Sequence, residues 1–326
     1  MDRLTIKDRP VQIKNVRDWV LNNTSIVLLL LMVVLGAVLT EDFLSIDNVL
    51  NLFRRVAING VLAIGAGLVI MVESFDLSRS GVVSLCSVLL LSLQNQIGMP
   101  MAIVVALGVG AAFGALNGFL ILLTRGATSE GFLITLGTQL LASGIALTYS
   151  KGYDIVGVND EWYLAIGQGS TLGIPNAVIL WIGLLILFQI LIKKTAWGRS
   201  LVIVGGNRNA AYLSGINVRK IKMTVCILSG LASSLGAILI TSRLAAANYN
   251  SGLGTDFDAT ISCLVGGVAT VGGKGSMVQI FVGVMIYGLI TNICNLIGIS
   301  SEVQMIIKGA VLAVAMIMNA MKERRK

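Results

Sequence analysis

Not one histidine occurs among the 326 residues, and charged side chains make up only 12% of them. Without histidine the chain offers no Ser-His-Asp or Cys-His nucleophile and no metal cage built on imidazole. The four cysteines, Cys86, Cys226, Cys263 and Cys294, lie far apart inside apolar runs and lack the paired spacing of a redox or zinc motif, so they read as packing residues. Proline is as scarce. Pro10, Pro100 and Pro175 stand in the amino-terminal tail or at the edges of apolar segments, where a missing N–H costs little. Soluble domains carry roughly 25% charged residues, so the low charge excludes a sizeable water-soluble domain. The net charge of +8 comes without interleaved aromatics or a recognisable binding module, which argues against nucleic acid as a partner.

What the chain has instead is apolar residues, 56% of the total. Apolar segments run near 24–40, 56–72, 80–95, 101–123, 131–149, 176–192, 223–241, 259–271, 277–297 and 303–318. This pattern predicts an all-α polytopic membrane protein of about ten transmembrane helices in a lipid bilayer. With the amino terminus inside, 19 Lys and Arg fall in inner segments and four in outer ones. That asymmetry predicts cytoplasmic termini. The expected organisation is a cytoplasmic tail over 1–23, a membrane domain over 24–318, outer loops at 150–175 and 242–258, and a basic tail at 319–326. The first 19 residues are polar, so no secretory signal peptide is expected.

The eighth segment is short for a bilayer of about 30 Å, and glycines follow it at Gly266, Gly267, Gly272, Gly273 and Gly275. Together these predict a broken or re-entrant element, which needs protein or a water-filled cavity to cover its freed backbone. The third span has a similar entry, marked by Glu73 and Asp76. Those carboxylates either line a pathway or sit at the inner interface with Asp76 capping the helix that begins at Ser78. Ser78, at the start of that helix, is a further candidate for the path or its gate, as are Asn117 and Thr135, polar within spans, which read otherwise as helix-to-helix hydrogen bonds. Gly110, Gly114 and Gly118 share one helix face at a spacing that lets two backbones approach closely, which marks a helix contact within the chain.

The inner segment 193–222 holds seven basic residues and no acidic one. Its middle, Asn209 to Ile216, reads as a short helix started by an Asn cap and stopped by Gly215, with Ala210, Ala211 and Leu213 as a small apolar face. Such a helix suits either a partner's groove or an anionic lipid surface.

Thr195, Gly198 and Arg199, followed by Gly205, Gly206, Asn207, Ala210, Ala211, Leu213, Ser214, Gly215 and Ile216, form one long patterned run. A second comprises Gly252, Gly254, Asp256, Asp258 and Ala259, then Gly266, Gly267, Gly272, Gly273, Gly275 and Ser276, and finally Gln304, Lys308 and Gly309. Thr135, Leu136, Gly137 and Thr138 form a third. Over nearly its whole length the chain resembles the membrane permease subunits of bacterial ABC importers for monosaccharides, the ribose-type permeases. Their G-G-I-D-L-S-V-G-S element is similar to 73–81 here, where Asp76, Leu77 and Ser78 are kept. Glu73 and Arg79 put charges where those permeases have Gly and Val, and six residues apart the two cannot pair along one helix face.

The resemblance implies a ten-helix permease, working as a homodimer or with a sister permease, in the bacterial inner membrane. A cytoplasmic ATPase subunit that carries ATP and Mg would dock on Gly206, Asn207, Ala210, Ala211, Leu213, Ser214, Gly215 and Ile216. A periplasmic sugar-binding protein would deliver a pentose or hexose such as ribose or allose. No cofactor or enzymatic activity is expected in this chain, whose nearest approach to a phosphate loop, Gly267 to Gly275, lacks the hydroxyl after Lys274. Arg243, Asp256 and Asp258 are the candidate contacts to the binding protein in the outer loop. A related permease for a nucleoside, branched amino acid or furanose signal remains an alternative, as does an ion-coupled carrier using Glu73, Asp76 or Lys308.

Overall fold

A computed structural model describes residues 24–124 and 128–324. The expected tail 1–23 lies outside the described residues, as do 325–326 of the basic tail. All ten apolar segments form helices, and seven of those described are long and apolar enough to cross a membrane. In chain order they are α1 (Thr24–Leu39), α2 (Ile46–Met71), α3 (Arg79–Ile97), α4 (Met99–Leu123), α5 (Thr128–Ser150) and, after a short α6 (Glu161–Gly167), α7 (Asn176–Lys194). Two shorter helices, α8 (Ala196–Gly206) and α9 (Arg208–Leu213), precede α10 (Val218–Leu244), α11 (Thr255–Gly266), α12 (Met277–Leu296) and α13 (Ser301–Arg324). Ten full spans is therefore too regular a description, since α1 has 16 residues and α11 only 12.

The centre of the bundle is built on α2 and α10. From Gly60 to Met71 every residue of α2 is buried. Alongside, α10 packs on α4 through backbone contact. A Cβ added to Gly114 would come 2.4 Å from the Cys226 carbonyl oxygen, and one on Gly230 would come 2.0 Å from that of Gly110. The glycine series is thus an intrachain contact, as its spacing implies. On the periphery, α5 turns Leu133, Leu140 and Leu141 outward, an apolar face suited to lipid or a second subunit.

At the Leu244 end of α10 two connections are stitched together: β1 (Ile155–Val156) pairs antiparallel with β4 (Ala246–Ala247), while β2 (Ser170–Thr171) and β3 (Ile174–Pro175) form a hairpin. At the Val218 end lie α8 and α9. The two helix breaks, 72–78 and 267–276, meet beside α8. Gly273 N–H donates to the Met71 carbonyl at 2.9 Å, and a Cβ on Gly205 would lie 1.8 Å from that oxygen. The freed backbone groups of the interruptions thus find protein, as a break within a membrane requires.

Three expected boundaries move. Helix α2 begins ten residues before position 56, because Asp47, Asn48, Asn51, Arg54 and Arg55 lower the hydropathy of a stretch that is nonetheless helical, so the two arginines lie in a helix and not in an outer loop. Asp256 and Asp258 belong to the first turn of α11, not to the loop 242–258. The segment 193–222 holds two helices besides the ends of its neighbours, not a single one at 209–216.

Candidate functional site

Four of the five residues expected along a path or gate come together. Asp76 Oδ1 accepts from the Ser78 N–H at 2.9 Å and from Ser78 Oγ at 2.6 Å, while Oδ2 accepts from Ser229 Oγ on α10 at 2.6 Å. Ser78 Oγ in turn accepts from Asn117 Nδ2 at 2.7 Å, and Asn117 Oδ1 accepts from Thr138 Oγ1 at 2.6 Å. Thr135 Oγ1 accepts from the Leu77 N–H at 3.1 Å. All six side chains are buried. This network fastens the irregular entry of α3 to α4, α5 and α10, and each polar group in it offsets the desolvation of another. Its chemistry is that of a structural joint, with both Asp76 oxygens engaged. Thr138 stood in the third patterned run without a role assigned to it, and Ser229 was legible only as a hydroxyl in an apolar run.

Glu73, the fifth, is exposed and holds φ +56°, a left-handed conformation that favours glycine. The resembling permeases have Gly there, so the backbone geometry explains their residue and leaves Glu73 the exception. Arg79 finds its partners elsewhere. Only 2% exposed, its Nη2 donates to the Asp256 carbonyl at 3.0 Å and to Thr260 Oγ1 at 2.7 Å, tying α3 to α11.

Among the expected docking residues, Asp256 is 1% exposed, inside the bundle beside Arg79, and its carboxylate presents no surface on this chain. Asp258 instead pairs with Lys308 of α13 at 3.3 Å and accepts a short hydrogen bond from the Tyr287 hydroxyl of α12. The Lys308 ammonium also lies 5.3 Å from the Tyr287 ring centroid. Arg243, half-buried at the end of α10, is close enough to Arg54 and Arg55 to feel their charge.

The segment 206–216 is the most exposed patterned stretch. Asn207 caps α9, its Oδ1 accepting from the Ala210 N–H at 2.9 Å, and Gly215 at φ +75° ends the turn that follows. Ala211 is buried against the bundle, whereas Tyr212 and Leu213 are 75% and 85% exposed. Gly206, Asn207, Ala210, Ser214 and Gly215 share that exposed surface, and Ile216 is half-buried. Beside them opens a groove of about 810 Å³ whose lining includes Arg208, Tyr212, Ile216 and Arg219. The sequence pattern pointed to Ala210, Ala211 and Leu213 and passed over Tyr212, although a lone aromatic in a polar loop is itself a signal.

A family profile described as the permease component of branched-chain amino acid transport systems matches residues 48–316. The ribose import permease RbsC of Haemophilus influenzae is 35% identical over 306 residues, covering 92% of this chain and 93% of its own. RbsC of Bacillus subtilis is also 35% identical, over 90% of this chain and 91% of its own, and the L-arabinose transport system permease AraH of Escherichia coli is 29% identical over 89% and 88%. No solved structure matches. Since the profile runs from α2 to α13 and takes in both helix breaks and the exposed α9, this chain belongs to that family of transport-system permease components.

Proposed function

We propose that this chain is the permease subunit of an ABC importer for a monosaccharide in the bacterial inner membrane, forming the translocation path while a separate subunit hydrolyses ATP. Relatives named for ribose import and for L-arabinose transport, aligned over about nine-tenths of the chain, support the sugar class. The observation that carries the division of labour is α9, whose Tyr212 and Leu213 project beside an open groove, covered by nothing among the described residues. A cytoplasmic ATPase carrying ATP and Mg is the partner for that surface. The termini and α9 then face the cytoplasm, and a periplasmic binding protein delivers sugar at the Leu244 end of α10. Two permeases, either two copies or this chain and a sister, enclose the path through their apolar outer faces. Movement of α9 on ATP binding reaches the helix breaks through α8 and switches access between the two sides.

Affinity purification of the tagged chain in mild detergent tests this directly, with an ATPase subunit expected among the retained proteins. Solute uptake by the permease alone, in proteoliposomes without ATP, would replace the importer with an ion-coupled carrier. Leu213→Asp should lower ATPase retention at least tenfold, because a buried carboxylate replaces an apolar anchor. Retention equal to wild type would remove α9 from the interface. Gly215→Val forces a β-branched residue to φ +75°, at a cost of about 1–2 kcal/mol. We expect it to leave ATP hydrolysis running while uptake falls, read by comparing the two rates in the same vesicles; fully coupled transport counts against the transmitting role.

A further inference from the structure

Between α2, α11, α12 and α13 lies a cavity of about 120 Å³, lined in part by Arg55, Asn59, Asp258, Tyr287, Thr291 and Lys308. That is room for about four waters, or for one edge of a small ring. We propose that it is a hydroxyl-recognition subsite on the translocation path, taking the polar edge of a polyhydroxylated ring; the proposal rests on the reading of this chain as a monosaccharide permease.

Depth is the first support. Asn59 stands 13 residues after the start of α2 and 12 before its end, at the middle of a helix that is long and apolar enough to span the membrane. Polar and charged side chains at that depth are costly unless they serve one another or a passing solute, and transporter sites lie near the midplane.

Chemistry is the second. Asn59 Nδ2 donates to Ser262 Oγ at 2.8 Å, and its buried Oδ1 accepts from nothing among the described residues. Asp258 and Lys308 cancel in charge, and their side chains stay 29% and 28% exposed. They therefore offer an acceptor and a donor side by side, and Arg55 on the same wall adds further donors. Vicinal hydroxyls need this combination, since each donates once and accepts as well. Thr291 adds a hydroxyl, and Leu52 and Val56 supply apolar wall for the ring's C–H face.

The complete transporter, reconstituted with its ATPase and binding protein, provides the test. D-ribose uptake is measured beside each of its monodeoxy analogues, for wild type, Asn59→Ala and Thr291→Val; if the wild type imports L-arabinose or D-allose instead, that sugar's deoxy series is used. Because the same binding protein serves every variant, its own selectivity cancels when ratios are compared. We expect at least one variant to change the parent-to-deoxy uptake ratio threefold or more at one ring position and to leave the other positions unchanged. Uptake that falls by one common factor for all sugars in both variants, or does not change, overturns the subsite. A variant that fails to assemble is replaced by the other. A wild-type complex that imports none of these sugars overturns the monosaccharide reading itself, an outcome separable from loss of the subsite alone.

Discussion

Gly230→Val is expected to lower the unfolding temperature of the permease more than Arg79→Met does. The first carbon of the new side chain would lie 2.0 Å from the Gly110 carbonyl oxygen and 3.0 Å from the Gly114 nitrogen. Both obstacles are backbone of α4, which no rotamer change moves aside. Relief requires α4 and α10 to separate, and with them goes the surface that holds the central helix in place. Overpacking between side chains typically costs about 1–3 kcal/mol, and here the obstacle is main chain, so the loss should exceed that range. In a bilayer, association rests on close contact and not on exclusion of water, which makes a lost contact harder to replace. Thermal unfolding in mild detergent measures it. Gly108→Ala is the control, because that position on the same α4 has nothing within 4 Å of an added Cβ; it should unfold at the wild-type temperature or slightly above. Equal behaviour of the two variants would mean that the α4–α10 contact carries little of the stability.

Arg79→Met should be nearly as damaging, for an electrostatic reason. The guanidinium is buried where it donates to the Asp256 carbonyl and the Thr260 hydroxyl, and the nearby Asp256 carboxylate has one oxygen, Oδ2, with no hydrogen-bond partner. Removing the cation takes away two hydrogen bonds from a charged donor, worth about 1.5–3 kcal/mol each, together with a positive charge that lies near a buried acidic group. Asp256→Asn in the same chain removes the acidic group that the lost cation leaves behind, so it tests whether the two side chains are coupled through charge. The double variant should therefore recover at least half of the melting-temperature loss of Arg79→Met. Losses that simply add would show that the two side chains do not act as a pair.

Most of the architecture was legible in the sequence because a bilayer enforces it: each apolar run contributes a helix, the eighth only as far as Gly266. What escaped was polar within helices. Arg54 and Arg55 hid the first ten residues of α2, since hydropathy cannot separate a polar helical turn from a loop. The cap that starts α8, with Thr195 Oγ1 accepting from the Gly198 N–H at 3.1 Å, went unread, and the apolar residues after it were too few to stand out as a helix. Asp76, Ser78, Asn117 and Thr135 were recognisable one by one as polar groups inside spans. That they serve one network depends on which helices neighbour each other, and periodicity is silent about that. For Asp256 and Asp258, two residues apart on a helix of 3.6 residues per turn, the side chains point to different neighbours, so a shared docking role was unsafe from the start. The resemblance to ribose-type permeases succeeded at the level of the family because its long glycine-rich runs record backbone geometry. Glu73, at a position that such geometry assigns to glycine, shows how far a single residue can depart from it.

The junction of Met71, Gly205 and Gly273 has one last consequence. It is a contact of main chain on main chain, in which two of the three residues have no side chain. Drift in the surrounding residues has almost nothing there to alter, whereas any replacement of Gly205 is obstructed at once. A lineage of such permeases is therefore free to exchange the residues that select a cargo while inheriting the moving joint unchanged, and new substrates can arise by substitution without the machine having to be reinvented.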